Sequence, residues 1–377
     1  AGIYVNEDTA LRLTAVFAAV KILAESLAVL PLILYRRLRT GGKERATDHP
    51  LYTLAHDTPN EDHTSFELRE LLQGHLGLRG NGYAEIIRDG RGIVRELEPL
   101  DPRCVRPYRL ESGRPAYEVS ASGKTRILLG RAGEILHVRA YSIDGLIGLS
   151  PIAQAREAVG LGLAAEEYGS RFFVNDATPG GVLEHPMSLG DTARKHIKED
   201  WQKIFAGAGR HSIAVLEEGM KYTQVGISNH DAQFLELRKF QISEIARIYR
   251  VPPHMLADLD RATFANIEHM SLEFVMFSLL PWLRRWEQAF NRDLLTPSER
   301  QTYYFEFLVE GFLRGDFESR QRGLSIQRQN GIINANEWRE IENKNPIGGE
   351  DGAKYWEPKN MGTGGMADPL APQEKKP

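Results

Sequence analysis

Residues 10–30 carry the first sustained pattern: Leu11, Val16, Val20, Ile22, Leu23 and Leu27 recur at helical spacing. Pro31 cannot continue a helix, so the helix stops there and Leu32 to Tyr35 reads as a strand. The basic run 36–43, with Gly41-Gly42 near its end, reads as a solvated hairpin tip. Thr64 followed three residues later by Glu67 predicts a capping box opening a helix over 64–80. Beyond Gly80 the period drops to two. Tyr83–Arg88 runs into an Asp89-Gly90 turn, Ile93–Leu97 follows, and hairpins continue to about residue 140. Residues 1–150 are therefore expected to be α+β.

Helices then dominate. Ser150 followed by Pro151 is an N-cap with proline in the first turn, and predicts a helix over 151–175. Residues 178–228 form a short mixed insert. It has a Thr-Pro-Gly-Gly turn, a strand around Val182-Leu183, a helix near 191–205 and strands at 212–217 and 221–226. A returning helix spans 229–250 and closes at Val251-Pro252-Pro253. A long helix over 267–295 contains Pro281, where a kink is expected. Met270, Leu272, Phe274, Val275, Phe277, Leu279, Leu280, Trp282, Leu283 and Trp286 lie almost all round it. Such a helix should be covered on most sides, by its own core or by another subunit. Shorter helices follow near 316–329 and 334–343, and beyond about 356 the Gly, Pro and Lys content reads as a disordered tail. Two helices flanking an insert suggest a stalk carrying an outlying module.

Composition narrows the function. The 377 residues carry 47 Lys+Arg and 51 Asp+Glu, and 47 − 51 = −4. That excludes a protein that coats nucleic acid by net charge. The single cysteine, Cys104, cannot close an intramolecular disulfide, which fits a reducing, intracellular setting. No stretch reaches the roughly 18 apolar residues of a membrane span. The nearest, 22–34, is broken by Glu25 and Pro31. The N-terminus has neither a basic region nor a cleavage pattern, so no signal peptide is expected.

Catalytic motifs are near misses. Gly123-Lys124-Thr125 has Glu118 where a phosphate loop needs its first glycine. Gly148-Leu149-Ser150-Pro151-Ile152 lacks the last glycine of a nucleophile elbow, and a helix cap explains Ser150 better. Gly160 and Gly162 sit inside a helical pattern, where small residues let helices pack closely. His49, His56 and His63 read as surface or capping histidines, and Asp258 and Asp260 as parts of a solvated loop. No catalytic, cofactor-binding or metal-binding residue is nominated, and no cofactor is expected.

A colinear set of phrases carries more. They are Val20-Lys21-Ile22-Leu23-Ala24-Glu25-Ser26-Leu27-Ala28 into Leu30-Pro31-Leu32, His49-Pro50-Leu51-Tyr52, Thr58-Pro59-Asn60, Gly80-Asn81-Gly82-Tyr83-Ala84-Glu85 and Leu97-Glu98-Pro99-Leu100. Then come Thr178-Pro179-Gly180-Gly181-Val182-Leu183, Asp231-Ala232-Gln233-Phe234, the run from Glu244 to Leu256 (EIARIYRVPPHML), Pro281-Trp282-Leu283 and Asn336-Glu337-Trp338-Arg339. Across roughly 1–350 the chain resembles the portal proteins of tailed bacteriophages, in the branch that accompanies the HK97-type capsid.

The resemblance implies an α+β portal fold with wing, stem, clip and crown regions. The wing would span 1–150, stem helices 151–177 and 229–251, and the clip 178–228. A tunnel loop would span 252–266, a kinked helix with the return to the wing 267–315, and the crown 316–356, ahead of a disordered 357–377. It implies a homo-oligomeric ring, usually a dodecamer, at one capsid vertex, through which double-stranded DNA passes without sequence preference during packaging and ejection. The implied partners are the terminase large subunit, the major capsid protein and scaffold, and the head–tail adaptor proteins, with no membrane. The implied location is the virion, and the host cytoplasm during assembly. Such a ring is not itself an enzyme. His254, Asp258, Asp260, Arg261, Thr263 and Asn266 would lie near DNA, and Arg194, Lys195, Lys198, Glu199 and Lys203 would form the clip's docking face. Its mixed charge suits docking better than DNA clamping, while Trp201 and Phe205 read as a helix-packing pair. Over about twelve copies, −4 per chain sums to on the order of −48, which suits passage of DNA rather than tight phosphate binding. The competing readings are a soluble intracellular enzyme with an unrecognised site in the α+β region, and a non-channel capsid or tail assembly protein.

Overall fold

In the computed structural model the described residues are 2–39, 41–121, 123–130, 133–174, 181–186, 188–192, 195–197, 199, 219–224, 228–257, 270, 272–309, 317–342 and 344–356. The chain opens with a short helix α1 (Glu7–Ala10), capped by Asn6, and then α2 (Thr14–Ala28). α2 buries Val16, Val20, Leu23 and Leu27 of the predicted stripe, while Ile22 is half-buried and Leu11 lies in the turn before the helix. β1 (Leu32–Arg37) and β2 (Lys43–Arg45) form the predicted basic hairpin, in which Arg36 pairs with Glu44 and Asp48. α3 (Pro50–His56) was not anticipated. Its N-cap is His49, whose Nδ1 accepts from the Leu51 amide at 3.2 Å. α4 (Ser65–Arg79) begins with the expected Thr64–Glu67 capping box and ends at Gly80 in the left-handed region, φ 74°.

Four antiparallel pairings follow, in two sheets. β3 (Asn81–Arg88) lies between β4 (Val94–Leu100) and β8 (Ile135–Arg139), while β5 (Val105–Arg109), β6 (Pro115–Ala121) and β7 (Lys124–Leu129) make a second sheet. Lys124 and Thr125 lie in β7, after a Gly123 turn, so the phosphate-loop fragment is a hairpin. Cys104 is half-buried in a 3₁₀ turn over Pro102–Cys104.

Ser150 caps α5 (Pro151–Gln154) through the Ala153 amide and also donates to the Leu78 carbonyl at 2.7 Å. The predicted single helix is interrupted at Ala155 and resumes as α6 (Arg156–Val174). Gly160 is buried in α6, and a Cβ on Gly162 would come within 2.8 Å of the Leu13 side chain. Gly162 thus serves close packing. In the insert, β9 (Gly181–Glu184) and β10 (Lys221–Gln224) are antiparallel, and residues 191–192, 195–197 and 199 are helical. The expected strand at 212–217 and the Trp201–Phe205 pair lie outside the described residues, as does the tail 357–377.

The returning helix is α7 (Ser228–Tyr249). Near Pro281 the helical ladder is irregular, as the missing N–H requires. A wide π turn covers Phe274–Leu279, and α8 (Leu280–Asp293) follows. Phe274, Val275, Leu279, Leu283 and Trp286 face the core. Phe277 and Leu280 do not: they are 61% and 37% exposed. Within one chain the helix is therefore two-sided rather than covered all round. A short α9 (Glu299–Thr302) leads into β11 (Tyr303–Phe307), a strand not anticipated in the sequence, which pairs with β1. α10 (Phe317–Gln329) and α11 (Ala335–Ile341) complete the order.

One apolar cluster joins early and late chain: Leu23, Leu27, Leu72, Leu76, Leu97, Leu136, Ile245, Leu283, Trp286, Phe290 and Phe305 belong to it. Arg69 is buried in this region without a carboxylate. It donates to the carbonyls of Ala55 and Ala28, each at 2.9 Å, at the C-terminal ends of α3 and α2. Two helix ends supply the negative partial charge, and burial still lowers its pKa to about 10.

The Gly80-Asn81-Gly82-Tyr83 phrase proves structural. The Asn81 Oδ1 accepts from the Gly148 amide at 2.8 Å and from His137 Nε2 at 3.1 Å, and its Nδ2 donates to the Gly148 carbonyl at 2.8 Å. His137 Nδ1 lies 3.0 Å from the Tyr117 hydroxyl. These contacts suit a neutral imidazole that donates at Nε2 and accepts at Nδ1. Full burial, with the charges of Arg139 and Arg292 nearby, holds its pKa well below the ordinary value. The unfolded chain thus binds a proton below about pH 6.5 that the folded chain refuses, so this contribution is intact above that pH and erodes as pH falls. We expect the melting temperature to drop between pH 7.5 and 5, with a shallower drop in His137→Gln. Equal slopes in the two proteins would contradict the assignment.

Candidate functional site

The chain that follows α7 into residues 251–257 is held in place by three residues. Tyr249 is buried and its hydroxyl donates to the Gly77 carbonyl at 3.0 Å, tying α7 to α4. Burial raises its phenol pKa well above the ordinary value. Arg250 then turns the chain with φ 56°, and the Val251 amide closes back on the Ala246 carbonyl at 3.0 Å. Glycine normally fills this left-handed position after a helix. Pro252 and Pro253 stiffen the next step into a 3₁₀ turn over Pro253–Leu256, and Ala257 is left-handed again, φ 62°. Arg250 and Ala257 are the non-glycine residues with positive φ among those described. Each such residue costs on the order of 1–3 kcal/mol and persists where surrounding contacts over-determine it.

The returning leg is tied to the outgoing one. Ser278, inside the π turn, donates from its hydroxyl to the Arg250 carbonyl. The outgoing strand of chain, the π turn and α4 thus meet at one point. Beside it lies an open cleft of about 720 Å³. Tyr141, Leu149, Glu244, Ile248, Phe277 and Trp282 are among the residues lining it. Tyr141 is 69% exposed, so the cleft presents apolar surface to water. Arg285, also on its wall, donates to the carbonyls of Arg139 and Ala140, each at 3.2 Å. The arrangement ties the segment after α7 to the π turn through the Ser278 hydroxyl and the Arg250 carbonyl.

Of the loop residues nominated from sequence, His254 lies in the 3₁₀ turn and is half-buried. Its Nδ1 has no hydrogen-bond partner among the described residues. Asp258, Asp260, Arg261, Thr263 and Asn266 lie outside the described residues. In the insert, Lys195 and Glu199 are exposed on helical backbone, while Arg194, Lys198 and Lys203 lie outside the described residues. Tyr249, Arg250 and Ser278 were not nominated as site residues. The Tyr-Arg-Val-Pro-Pro run was the available signal for the first two, because a helix that stops before two prolines needs a left-handed residue to turn the chain. Ser278 carried no local signal.

A profile of the family described as phage portal protein matches residues 14–343. The probable portal protein of Streptomyces phage phiC31 is 35% identical over 373 residues, covering 95% of this chain and 80% of that one. The portal protein of Enterobacteria phage HK97 is 29% identical over 351 residues, covering 92% and 82%. A chain from the neck of a native gene transfer agent particle, computed with C12 symmetry, superposes with a TM-score of 0.64 at 22% identity, covering 90% and 94%. That likeness concerns the fold. With residues 14–343 matched by the family profile and a 35% identical relative covering 95% of the chain, this chain belongs to the phage portal protein family.

Proposed function

We propose that the chain is the repeating subunit of a closed ring whose axial channel carries double-stranded DNA into and out of a capsid at one vertex. It acts as a conduit and docking platform rather than as a catalyst. In this reading residues 1–150 are the wing, 151–177 and 229–251 the stem, 178–228 the clip, 252–266 the tunnel loop, 267–315 the kinked helix and return, and 316–356 the crown. The clip, with Lys195 and Glu199 on its surface, receives the terminase large subunit during packaging and head–tail adaptors afterwards. The wing meets the major capsid protein and scaffold, so the finished location is the virion, after assembly in the host cytoplasm.

The observation that carries this reading is the two-legged grip on the loop root: Tyr249 to Gly77 on the outgoing side, and Ser278 to the Arg250 carbonyl across to the return. A loop that works against sliding DNA needs anchors stiffer than itself, and the buried Tyr249 bond, the half-buried Ser278 bond and left-handed Arg250 supply them. The apolar, water-exposed Phe277 and Tyr141 also suit a subunit that gains cover in a ring.

Imaging the purified chain by negative stain should show rings with a central hole, and a uniform monomer would count against the proposal. Arg261→Glu should form the same rings yet package less DNA in a reconstituted reaction. Packaging equal to that of the unmodified ring would remove Arg261 from the DNA-facing set.

A further inference from the structure

A second recess, of about 100 Å³, lies where the ends of β5, β8 and α8 meet. Arg109, Arg139, Arg292, Asp293, Tyr117 and Ile135 are among its lining residues. Three guanidiniums therefore share one carboxylate. That carboxylate is already taken: Arg292 donates to Asp293 through Nε at 2.7 Å and through NH2 at 2.6 Å. The same Asp293 accepts the His137 amide at 3.1 Å, and Arg292 also reaches the His137 carbonyl at 2.7 Å. Arg292 and Asp293 thus form a closed, neutral unit.

Neither Arg109 nor Arg139 forms an ion pair among the described residues, and the nearby Asp293 is engaged by Arg292. Arg139 donates to the Gly145 carbonyl and Arg109 to the Gly113 carbonyl, both neutral acceptors. Other arginines of residues 1–150 divide between the two arrangements: Arg36, Arg79, Arg95, Arg103 and Arg126 each pair with a carboxylate, whereas Arg37, Arg69 and Arg88 donate to carbonyls. Nor does the wall compensate, because His137 is buried and neutral and Tyr117 is committed to it. Burial first, then the nearby positive charges of Arg292 and Arg109, lower the pKa of Arg139, although Tyr117 and Asp293 act in the opposite direction.

Volume selects the class of ligand. Drug- and nucleotide-sized ligands occupy pockets of about 300–1,000 Å³. A recess of about 100 Å³ admits a single small ion together with its contacts. Guanidinium forks match the oxygen spacing of phosphate and carboxylate better than they match a halide. We propose that this recess is a binding site for one phosphate-class oxyanion, held by Arg139 and Arg109 and walled by the Arg292–Asp293 pair.

The test uses the purified full chain and inorganic phosphate. Phosphate should raise the melting temperature saturably, by about 2–4 °C, over sodium chloride at matched ionic strength and pH. It should also broaden the phosphorus resonance of the free ion. Arg139→Gln should abolish both effects and Arg109→Gln should weaken them. Should Arg139→Gln fail to fold, Arg109→Gln, on the exposed end of β5, carries the comparison. An equal rise with chloride, or an undiminished rise in the variants, overturns the site. A competing DNA duplex identifies the source: displacement of phosphate assigns the oxyanion to a nucleic-acid backbone, and retention assigns it to the free ion.

Discussion

Gly148→Ala is expected to destabilise the protein by more than about 4 kcal/mol, the range reached when backbone must move to admit an atom. A Cβ there would lie 2.0 Å from the Gly80 carbonyl oxygen and 2.8 Å from the Ala140 amide nitrogen. Both neighbours are main chain, so no side chain can swing aside. The displaced backbone would also break the Ala140 amide bond to the Gly80 carbonyl (2.9 Å) and both Asn81 bonds to Gly148. Gly145→Ala is the control: its φ is 69°, but nothing stands within 4 Å of the added carbon. It should cost only about 1 kcal/mol, from conformation alone. Chemical denaturation of the two variants decides the matter, and coincident midpoints would refute the close-approach account.

Trp286→Ala should cost about 3–5 kcal/mol. The indole is fully buried, tilts against Phe290 at 5.8 Å between ring centres, and donates from Nε1 to Gln73 Oε1 at 2.9 Å. Gln73 Nε2 already lacks a partner among the described residues, so truncation leaves both ends of a buried amide unsatisfied. Trp286→Phe keeps most of the volume and should cost roughly 1–3 kcal/mol, chiefly for the lost bond. Because α8 joins the π turn to the sheets, loosening Trp286 should also speed hydrogen exchange at 274–279. Exchange unchanged there, in a variant that has lost stability, would separate α8 from the loop root.

Much of the local structure was legible. Thr64 and Glu67 announced α4, Ser150 and Pro151 announced α5, and the Asp89-Gly90 turn announced the β3–β4 hairpin. Each of these rests on contacts within a few residues, where side-chain chemistry is visible in order along the chain. β11 was not legible. Its partner β1 lies some 270 residues earlier, and a short aromatic run interrupted by Glu306, such as Tyr303–Phe307, suits several structures until that pairing forms. The phrases that carried the resemblance could be located without being explained. Asn81 turned out to be a hub for Gly148 and His137, and Asn60 to hold the Leu97 carbonyl at 2.8 Å.

The candidate site divides the same way. Proline spacing marked where the loop leaves α7, while the grip of Ser278 on Arg250 joins residues 28 apart and has no local signature. The apolar positions of residues 270–286 were plain, but not that Phe277 and Leu280 would face outward. The order of residues alone determined that this is an α+β protein with a helix–insert–helix interruption, a proline-rooted loop and a chain charge too small to coat DNA. The tertiary structure alone decided which carbonyl Tyr249 reaches, which apolar side chains stay in water, and that Arg109, Arg139 and Arg292 line one recess whose carboxylate pairs with Arg292. Periodicity and capping are set by neighbours in sequence, whereas counter-charges and close backbone approaches are set by neighbours in space.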